Sequence, residues 1–246
     1  MSQGRFAVVI PVFNYEKAVA SVIRECLQLR MPVFVVDDGS TDATYSKIKD
    51  IPGITVLRHD RNRGKGAALL TGFDAASKAC DWAITMDADG QHCPEDAQNL
   101  IAVVQNGTRP IVVGCREGMY EQNVPWASRF GRGFSNFWVR VSGGPRITDT
   151  QSGMRLYPLP EVLNLQVKAR RFQYEVEVLV KAQWYGLPVV EAPIRVTYAP
   201  KSERVSHYRG FVDFLRNSST FTRLIIGRFF FAPFRGSRLY RSSMNK

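Results

Sequence analysis

The sequence predicts an α/β protein with a mostly parallel sheet and helices on both of its faces. Short apolar runs typical of buried strands alternate at least four times with amphipathic segments of about ten to fifteen residues. Three polar clusters directly follow predicted strands, at residues 14–16, 37–42 and 87–91. Ligands bind at the carboxyl ends of the strands in such folds. We therefore expect one site that is built from these clusters.

The apolar spacing predicts each element of the first half. The predicted strands are residues 6–13, 31–36, 54–57, 83–86 and 111–114. The predicted helices, with apolar residues three or four positions apart, are residues 14–29, 41–48, 67–79 and 95–104. Pro11 is expected to end the first strand, because proline donates no hydrogen bond to a ladder.

The second half of the chain is less regular. Its predicted elements are a mobile loop at 117–133, helices at 129–141, 173–185 and 211–231, a tight polar turn at 149–153 and a strand at 189–198. The strand is predicted to lie at a sheet edge, because Pro193 would interrupt a central ladder.

The composition is that of a folded protein with a basic tail. The formal net charge is +11, and residues 201–246, with ten Lys or Arg against two acids, carry +8 of it. We therefore expect the tail to meet an anionic surface. The four cysteines form no Cys-x-x-Cys pair, which favours reduced thiols. No signal peptide or apolar run of about 18 residues is recognised, so a cytoplasmic location is expected.

Two aspartates end the fourth predicted strand. Side chains alternate along a strand, so Asp87 and Asp89 point the same way. Two carboxylates with Gln91 beside them suit Mg²⁺ or Mn²⁺, which takes its other ligands from water and from a substrate's phosphates. Taken alone, these residues also fit a solvated acidic turn.

Two further motifs have a structural and a functional interpretation. Asp37 and Asp38 fit a turn with a helix cap, or carboxylates that accept hydrogen bonds from a nucleotide. The segment 62–66 (Asn-Arg-Gly-Lys-Gly) is not a Walker A loop, and Leu69 replaces the third glycine of a dinucleotide fingerprint. Close packing of the helix on the sheet is favoured there, with Lys65 adding only a general positive field, although such a helix start could also hold phosphate.

Five motifs taken together resemble glycosyltransferase family 2. The similarity is greatest to its dolichol-phosphate mannosyltransferase-like and polyprenyl-phosphate glycosyltransferase-like branch, and it covers about residues 5–205. The motifs lie, in the family's order, at residues 10–16, 36–44, 62–67, 86–91 and 149–153. Five ordered motifs are far more specific than any one of them.

The resemblance implies a GT-A fold for a catalytic domain at 1–205, followed by a basic amphipathic segment at 206–246. It implies inverting transfer of a sugar from a nucleotide-diphosphate donor, with Asp87, Asp89 and Gln91 holding Mg²⁺ or Mn²⁺. The residues assigned to donor binding are Pro11, Asn14, Glu16, Asp37, Asp38, Lys65 and Arg204. The candidate catalytic residues are Arg116 and Arg129, which match arginines that contact phosphate, and Asp149, which matches an acid near the acceptor.

The chemistry of the acceptor stays open between two classes. A lipid phosphate is already an anion and needs no strong general base. A hydroxyl acceptor, soluble or lipid-linked, needs a base, and Asp149 is the candidate.

Residues 211–231 stand where larger members of the branch have transmembrane helices. Arg209, Arg216 and Arg223 recur every seven residues, with phenylalanines mainly opposite them. This pattern is typical of a basic helix in a membrane interface, so we expect peripheral attachment to the inner face of the membrane. The alternative is a helix packed on the domain with its arginines in water.

Two other protein classes are considered. A non-enzymatic nucleic-acid-binding protein would use the basic, aromatic tail, but it leaves three acidic clusters unexplained, and no nucleic acid is expected as a partner. A sugar-phosphate nucleotidyltransferase has a similar sheet, but its glycine-rich loop would follow the first strand, where this chain has Pro11-Val-Phe-Asn14.

Overall fold

The computed structural model describes the backbone of residues 4–104, 108–117, 126–197 and 210–231, and the side chains of these residues other than 126–130, 210–217 and 230–231. The strands are Phe6–Val12 (β1), Val33–Asp37 (β2), Ile54–Arg58 (β3), Trp82–Thr85 (β4), Ile111–Arg116 (β5), Arg155–Pro158 (β6) and Val189–Ile194 (β7). The α-helices are Val19–Leu27 (α1), Thr44–Ile48 (α2), Lys65–Ser77 (α3), Ala97–Val103 (α4), Trp126–Val141 (α5), Glu161–Asn164 (α6), Tyr174–Trp184 (α7) and Gly210–Phe231 (α8).

The seven strands form one sheet in the order β3-β2-β1-β4-β6-β5-β7. All pairings are parallel except those of β6, which runs antiparallel to both β4 and β5. The mostly parallel sheet is confirmed, and β7 lies at the edge as Pro193 predicted. Strand β6 was not predicted, because its four residues, Arg-Leu-Tyr-Pro, begin with a charge and end with a proline.

Helices cover both faces of this sheet, as the sequence predicted. Alternate residues of β1 point to opposite faces: Val8 and Ile10 join the core under α1 and α4, whereas Ala7 and Val9 join the core under α3 and α7. A third, smaller apolar cluster lies between α5, α7 and α8.

Pro11 lies inside β1, so the expectation that it ends the strand was wrong. It pairs with Val36 of β2. On the other side of β1, the pairing with β4 ends at Val9 and Thr85, and the carbonyl of Val9 accepts the last bond, from Met86 N. Backbone groups alternate between the two neighbouring strands, so an N–H of residue 11 would point toward β4, as that of residue 9 does. The missing N–H of Pro11 therefore falls where the ladder with β4 has already ended.

Helix α1 begins at Val19 and not at residue 14 as predicted. Residues 14–16 instead bind the loop that follows β2: Asn14 N donates to Ser40 Oγ (3.0 Å) and Glu16 N donates to Asp42 Oδ2 (3.3 Å). These contacts between neighbouring loops replace the first helical turn.

Helix α8 packs on the domain through the small third cluster. Phe221 and Leu224 are buried against Val139 of α5 and Val180 of α7. Arg223, which was expected in water or at a membrane, contacts the buried carboxylate of Glu177. Across the described ranges, none of the helices combines the length and the apolar character needed to cross a membrane.

Replacing Phe221 by alanine should destabilise the protein by about 3 to 5 kcal/mol, because the side chain leaves a cavity between three helices. Urea denaturation measures the change. Phe229→Ala on the same helix is the matched control, since Phe229 is 73% exposed, and it should change stability by about 0.5 kcal/mol or less. Equal effects of the two variants would contradict the described packing of α8.

Candidate active site

The loops after β1 and β2 are tied together at the carboxyl edge of the sheet. Asn14, with a positive φ of 54°, accepts a hydrogen bond from Thr41 N on Oδ1 (2.8 Å). Glu16 Oε2 accepts one from Ala43 N (3.0 Å). Both predicted donor-binding residues therefore shape the loop that carries the Asp37–Asp38 pair.

Asp37 is fully buried and has one oxygen with unused hydrogen-bonding capacity. Its Oδ1 accepts a bond from Ser40 N (2.9 Å), and its Oδ2 lies 3.1 Å from Arg58 Nε in an ion pair. Among the described residues, no hydrogen bond of good geometry reaches Oδ2. This oxygen therefore has spare acceptor capacity, but a ligand could reach it only after a neighbouring side chain moves, because Asp37 is fully buried.

Asp38 holds the glycine-rich loop before α3. Its carboxylate accepts bonds from Arg63 N (2.9 Å) and Gly64 N (2.7 Å), and His59 Nδ1 lies 2.6 Å from it. His59, which the sequence analysis did not assign, therefore helps to fix Asp38. The loop packs closely on helix α7 and not on the sheet as predicted, since a Cβ on Gly66 would come within 2.5 Å of Tyr174 Cβ.

Lys65 does more than add a general positive field. Its Nζ lies 2.6 Å from Asp87 Oδ1 and 2.7 Å from Glu175 Oε1. Burial alone would lower the pKa of Lys65, but the two carboxylates outweigh burial and raise this pKa above its ordinary value. Lys65 is therefore a charged ammonium that bridges α7 and the end of β4. Glu175 is a site residue that the sequence did not reveal.

Asp87 and Asp89 have opposite electrostatic environments. Burial alone would raise the pKa of Asp87, but the Lys65 ammonium outweighs it and lowers this pKa. Burial raises the pKa of Asp89 to about 6, and the neighbouring charge of Asp87 adds to that rise. The backbone N–H of Gln91 donates to Asp89 Oδ1 (3.0 Å). Among the described side chains, the second carboxylate therefore has no cationic partner strong enough to hold its pKa at an ordinary value.

Two neighbours of the aspartate pair are uncharged. Burial lowers the pKa of His92, whose Nε2 lies 3.9 Å from Asp87 Oδ2. Burial raises the pKa of Tyr15, and the charges of Asp89 and Asp87 add to this effect. Neither side chain supplies the missing positive charge.

The donor set fits a hard divalent cation. Over the parts of the chain with described side chains, no group of three or more His, Cys, Asp or Glu could hold a metal ion. Asp87 and Asp89 would supply two carboxylates, and water or a substrate would complete the shell, whereas the contact shown between Gln91 and Asp89 is made by the backbone N–H of Gln91 and not by its side-chain amide. Mg²⁺ and Mn²⁺ favour such oxygen ligands, and the raised pKa of Asp89 marks a charge that a cation would balance.

The 149–153 turn packs directly on Asp87. A Cβ on Gly153 would come within 2.1 Å of Asp87 Oδ2, so only glycine fits there. The turn is held from below by Arg155, which is fully buried and donates to the carbonyls of Ser152 (2.7 Å), Thr150 (2.9 Å) and Glu175 (2.7 Å). Arg155 was missed because a charged residue in a short segment is ordinarily expected at the surface.

Asp149 and Arg116 form a forked ion pair. Arg116 Nε lies 2.6 Å from Asp149 Oδ2, and its Nη2 lies 2.8 Å from Oδ1. Asp149 is fully buried, and its N–H donates to Glu191 Oε1 (3.0 Å). Both oxygens of the candidate base are therefore engaged by one guanidinium.

The structure does not describe the side chains of two predicted site residues. Arg129 lies within α5, in the part whose side chains are not described, and Arg204 lies outside the described residues. Their assigned roles stay predictions.

A paired-aspartate site at the carboxyl edge of a mostly parallel sheet is the arrangement expected of a nucleotide-sugar transferase. The Glycosyl transferase family 2 profile matches residues 7–159, and the chain belongs to this family. It is therefore a glycosyltransferase, and this confirms the enzyme class over the non-enzymatic alternative.

Two curated relatives span most of the chain. The UDP-N-acetylglucosamine–dolichyl-phosphate N-acetylglucosaminyltransferase of Methanococcus voltae is 30% identical over 224 residues, which are 82% of this chain and 89% of that protein. The polyprenol monophosphomannose synthase of Mycolicibacterium smegmatis is 30% identical over 208 residues, which are 78% of this chain and 77% of that protein.

A solved structure shows the same fold. Glucosyl-3-phosphoglycerate synthase from Mycobacterium tuberculosis, crystallised with Mn²⁺, uridine-diphosphate and phosphoglyceric acid, superposes with a TM-score of 0.68 at 20% identity. The match covers 92% of this chain and 78% of that chain. This confirms the GT-A fold.

Asp89→Asn should stabilise the free protein more at pH 8 than at pH 4. Folding raises the pKa of Asp89 to about 6 from about 3.9 in an unfolded chain. The stability that protonated Asp89 contributes below pH 4 is therefore lost as the pH rises through 6. Asparagine does not ionise, so the variant does not lose stability in this way. The gain of the variant over wild type should grow by about 1 to 3 kcal/mol between pH 4 and 8.

Urea denaturation in EDTA at both pH values measures this gain. Asp74→Asn, at an exposed position on α3, is the control and should show a difference from wild type that changes little with pH. A pH-independent difference for Asp89→Asn would contradict the described charge imbalance.

Proposed function

We propose that the protein transfers a sugar from a nucleotide-diphosphate donor to a lipid phosphate, with inversion and with Mg²⁺ or Mn²⁺ at Asp87 and Asp89. The observation that carries the proposal is the aspartate pair at the end of β4, with one carboxylate balanced by Lys65 and the other unbalanced. The 149–153 turn, packed on Asp87, supplies the acceptor side of the same site.

The donor half of the site is assigned from the loops at the carboxyl edge. Asp37 Oδ2, which is buried and has spare acceptor capacity, would accept a hydrogen bond from the base or ribose of the nucleotide once a neighbouring side chain has moved. Asp38 would act by fixing the loop that carries Lys65. When bound, the divalent cation stabilises the charge that develops on the leaving nucleotide diphosphate.

The acceptor half favours a phosphate over a hydroxyl. A hydroxyl acceptor would need Asp149 as a base, but both oxygens of Asp149 are held by Arg116. A phosphate monoester is largely ionised at neutral pH, since its second pKa is about 6, and it attacks without a base. We assign Asp149 to positioning Arg116, whose guanidinium can draw in the acceptor phosphate.

The names of the relatives point to the same acceptor class. One is named for dolichyl phosphate and the other for polyprenol monophosphomannose. In the proposed reaction, an acceptor phosphate oxygen bonds to the anomeric carbon while the bond from that carbon to the donor diphosphate breaks. Attack from the face opposite the leaving group inverts the anomeric configuration.

The purified protein should glycosylate a polyprenyl phosphate from one member of a panel of UDP- and GDP-sugars when Mn²⁺ or Mg²⁺ is present. Asp89→Ala should lower the rate of transfer by about a hundredfold or more, because it removes a ligand of the leaving-group cation. Product is measured by radiolabelled-sugar transfer into lipid.

Asp74→Ala is the control for that assay, because Asp74 is an exposed aspartate on α3, and it should retain wild-type transfer. The free alcohol, polyprenol, should not be glycosylated. Transfer to polyprenol in preference to its phosphate would contradict the proposed acceptor class. Full activity of Asp89→Ala would contradict the proposed role of Asp89 as a metal ligand.

We further propose that α8 lies against an anionic membrane surface. Its described half presents Ile226 (52% exposed) and Phe229 (73% exposed) to solvent, while Arg228 Nη1 bonds the carbonyl of Val141 (2.7 Å). Apolar side chains on the outer side of a basic helix suit the interface between lipid headgroups and acyl chains.

Replacing both Ile226 and Phe229 by alanine should lower cosedimentation with anionic liposomes about tenfold, because two buried apolar contacts with lipid are lost. The charge of the protein is unchanged by this substitution. Ser219→Ala with Thr222→Ala, at exposed positions on the same helix, is the matched control and should bind as wild type does. Equal binding by all three proteins would remove these side chains from the membrane contact.

A further inference from the structure

We propose that Lys65 is the resident counter-ion of the cation site, and that Glu175 keeps its ammonium paired when a divalent cation takes over Asp87. The ammonium would neutralise Asp87 before the donor arrives and then remain with Glu175. The inference rests on the proposed metal-dependent transfer and adds a function for two residues, one of which the sequence did not reveal.

The geometry places one ammonium between two carboxylates from different elements. Lys65 is the first residue of α3, Glu175 lies in the first turn of α7, and Asp87 follows β4. The distances from Nζ are 2.6 Å to Asp87 Oδ1 and 2.7 Å to Glu175 Oε1. The side chains of Lys65 and Glu175 are 15% and 11% exposed, so water screens the three charges little.

Both ends of this bridge are fixed by buried contacts. Asp38 holds the N–H of Gly64, directly before Lys65 (2.7 Å). Arg155 holds the carbonyl of Glu175 (2.7 Å). The lysine stem between these anchors has four rotatable bonds, so the ammonium is the part that can move while the two carboxylates stay in place.

Charge balance gives the reason for movement. A divalent cation shared by Asp87 and Asp89 would lie close to an ammonium that already touches Asp87, and like charges a few ångströms apart repel strongly in a partly buried site. If the Lys65 ammonium stays with the Glu175 carboxylate, these two groups form a neutral pair. Asp87 Oδ1 is then free to bind the cation. Without Glu175, the ammonium would have no second carboxylate and would compete for Asp87.

The two residues therefore have opposite expected effects on the affinity for metal. Lys65→Met removes the competitor and should tighten binding of Mn²⁺ to the donor-free protein about tenfold. Glu175→Gln leaves the ammonium on Asp87 alone and should weaken that binding about fivefold. A general loss of structure would weaken binding in both variants.

Electron paramagnetic resonance of free Mn²⁺, titrated with protein in the absence of nucleotide, measures these affinities without an activity assay. In the Lys65→Met background, Glu175→Gln should change the affinity by less than about twofold, because its effect acts through the ammonium. An undiminished effect of Glu175→Gln in that background would overturn the pairing role of Glu175.

Lys78→Met is the matched control. Lys78 follows the last residue of α3, about 20 Å from Lys65 along the helix at 1.5 Å per residue, and the change in net charge is the same. It should leave the affinity for Mn²⁺ unchanged. Lys65→Gln is the second variant should Lys65→Met not fold, and it must also tighten binding.

Asp89→Ala separates this inference from the proposed function. If wild type binds Mn²⁺ more tightly than Asp89→Ala does, but the Lys65 variants match wild type, the counter-ion inference alone is overturned. If wild type and Asp89→Ala bind Mn²⁺ equally, the proposed metal site itself is lost.

Discussion

The negative charge at the carboxyl end of β4 is the constraint on which the rest of the site depends. Asp87 is held ionised by the ammonium of Lys65, whereas burial raises the pKa of Asp89 to about 6 and the neighbouring charge of Asp87 adds to that rise. Burying a charge costs free energy unless a partner balances it. Among the side chains that the structure describes, one ammonium, shared between Asp87 and Glu175, lies at this end of β4, and this shortage of positive charge is the physical reason for expecting a divalent cation with a diphosphate donor.

The proposed acceptor side contains another buried carboxylate, Asp149, whose charge is paired. Arg116 donates hydrogen bonds to both oxygens of Asp149, and the Glu191 carboxylate accepts one from the backbone N–H of Asp149. Because Gly153 of this turn packs against Asp87, the turn that carries Asp149 and the Asp87 carboxylate share one wall of the site. In the proposed reaction, a site arranged in this way would stabilise and position anions without abstracting a proton, which suits an acceptor that is itself a phosphate.

Much of the fold and part of the site could be predicted, because apolar runs and strand-end acids are local signals. The parallel sheet and the edge position of β7 follow from such patterns, whereas Asp87 and Asp89 lie beyond the end of β4 and not on the strand as predicted. The β6 strand and its buried Arg155 could not be predicted, since a charged residue in four residues of strand carries no periodicity. The bond between Lys65 and Glu175 joins residues 110 positions apart, and only the tertiary fold brings them together.

The most direct measurement is a crystal structure with Mn²⁺ and the preferred nucleotide sugar, with anomalous data collected at the manganese edge. We expect one anomalous peak that contacts the carboxylates of Asp87 and Asp89 and lies beside the donor diphosphate. A donor bound with manganese absent from that position, or a peak that contacts neither aspartate, would contradict the account.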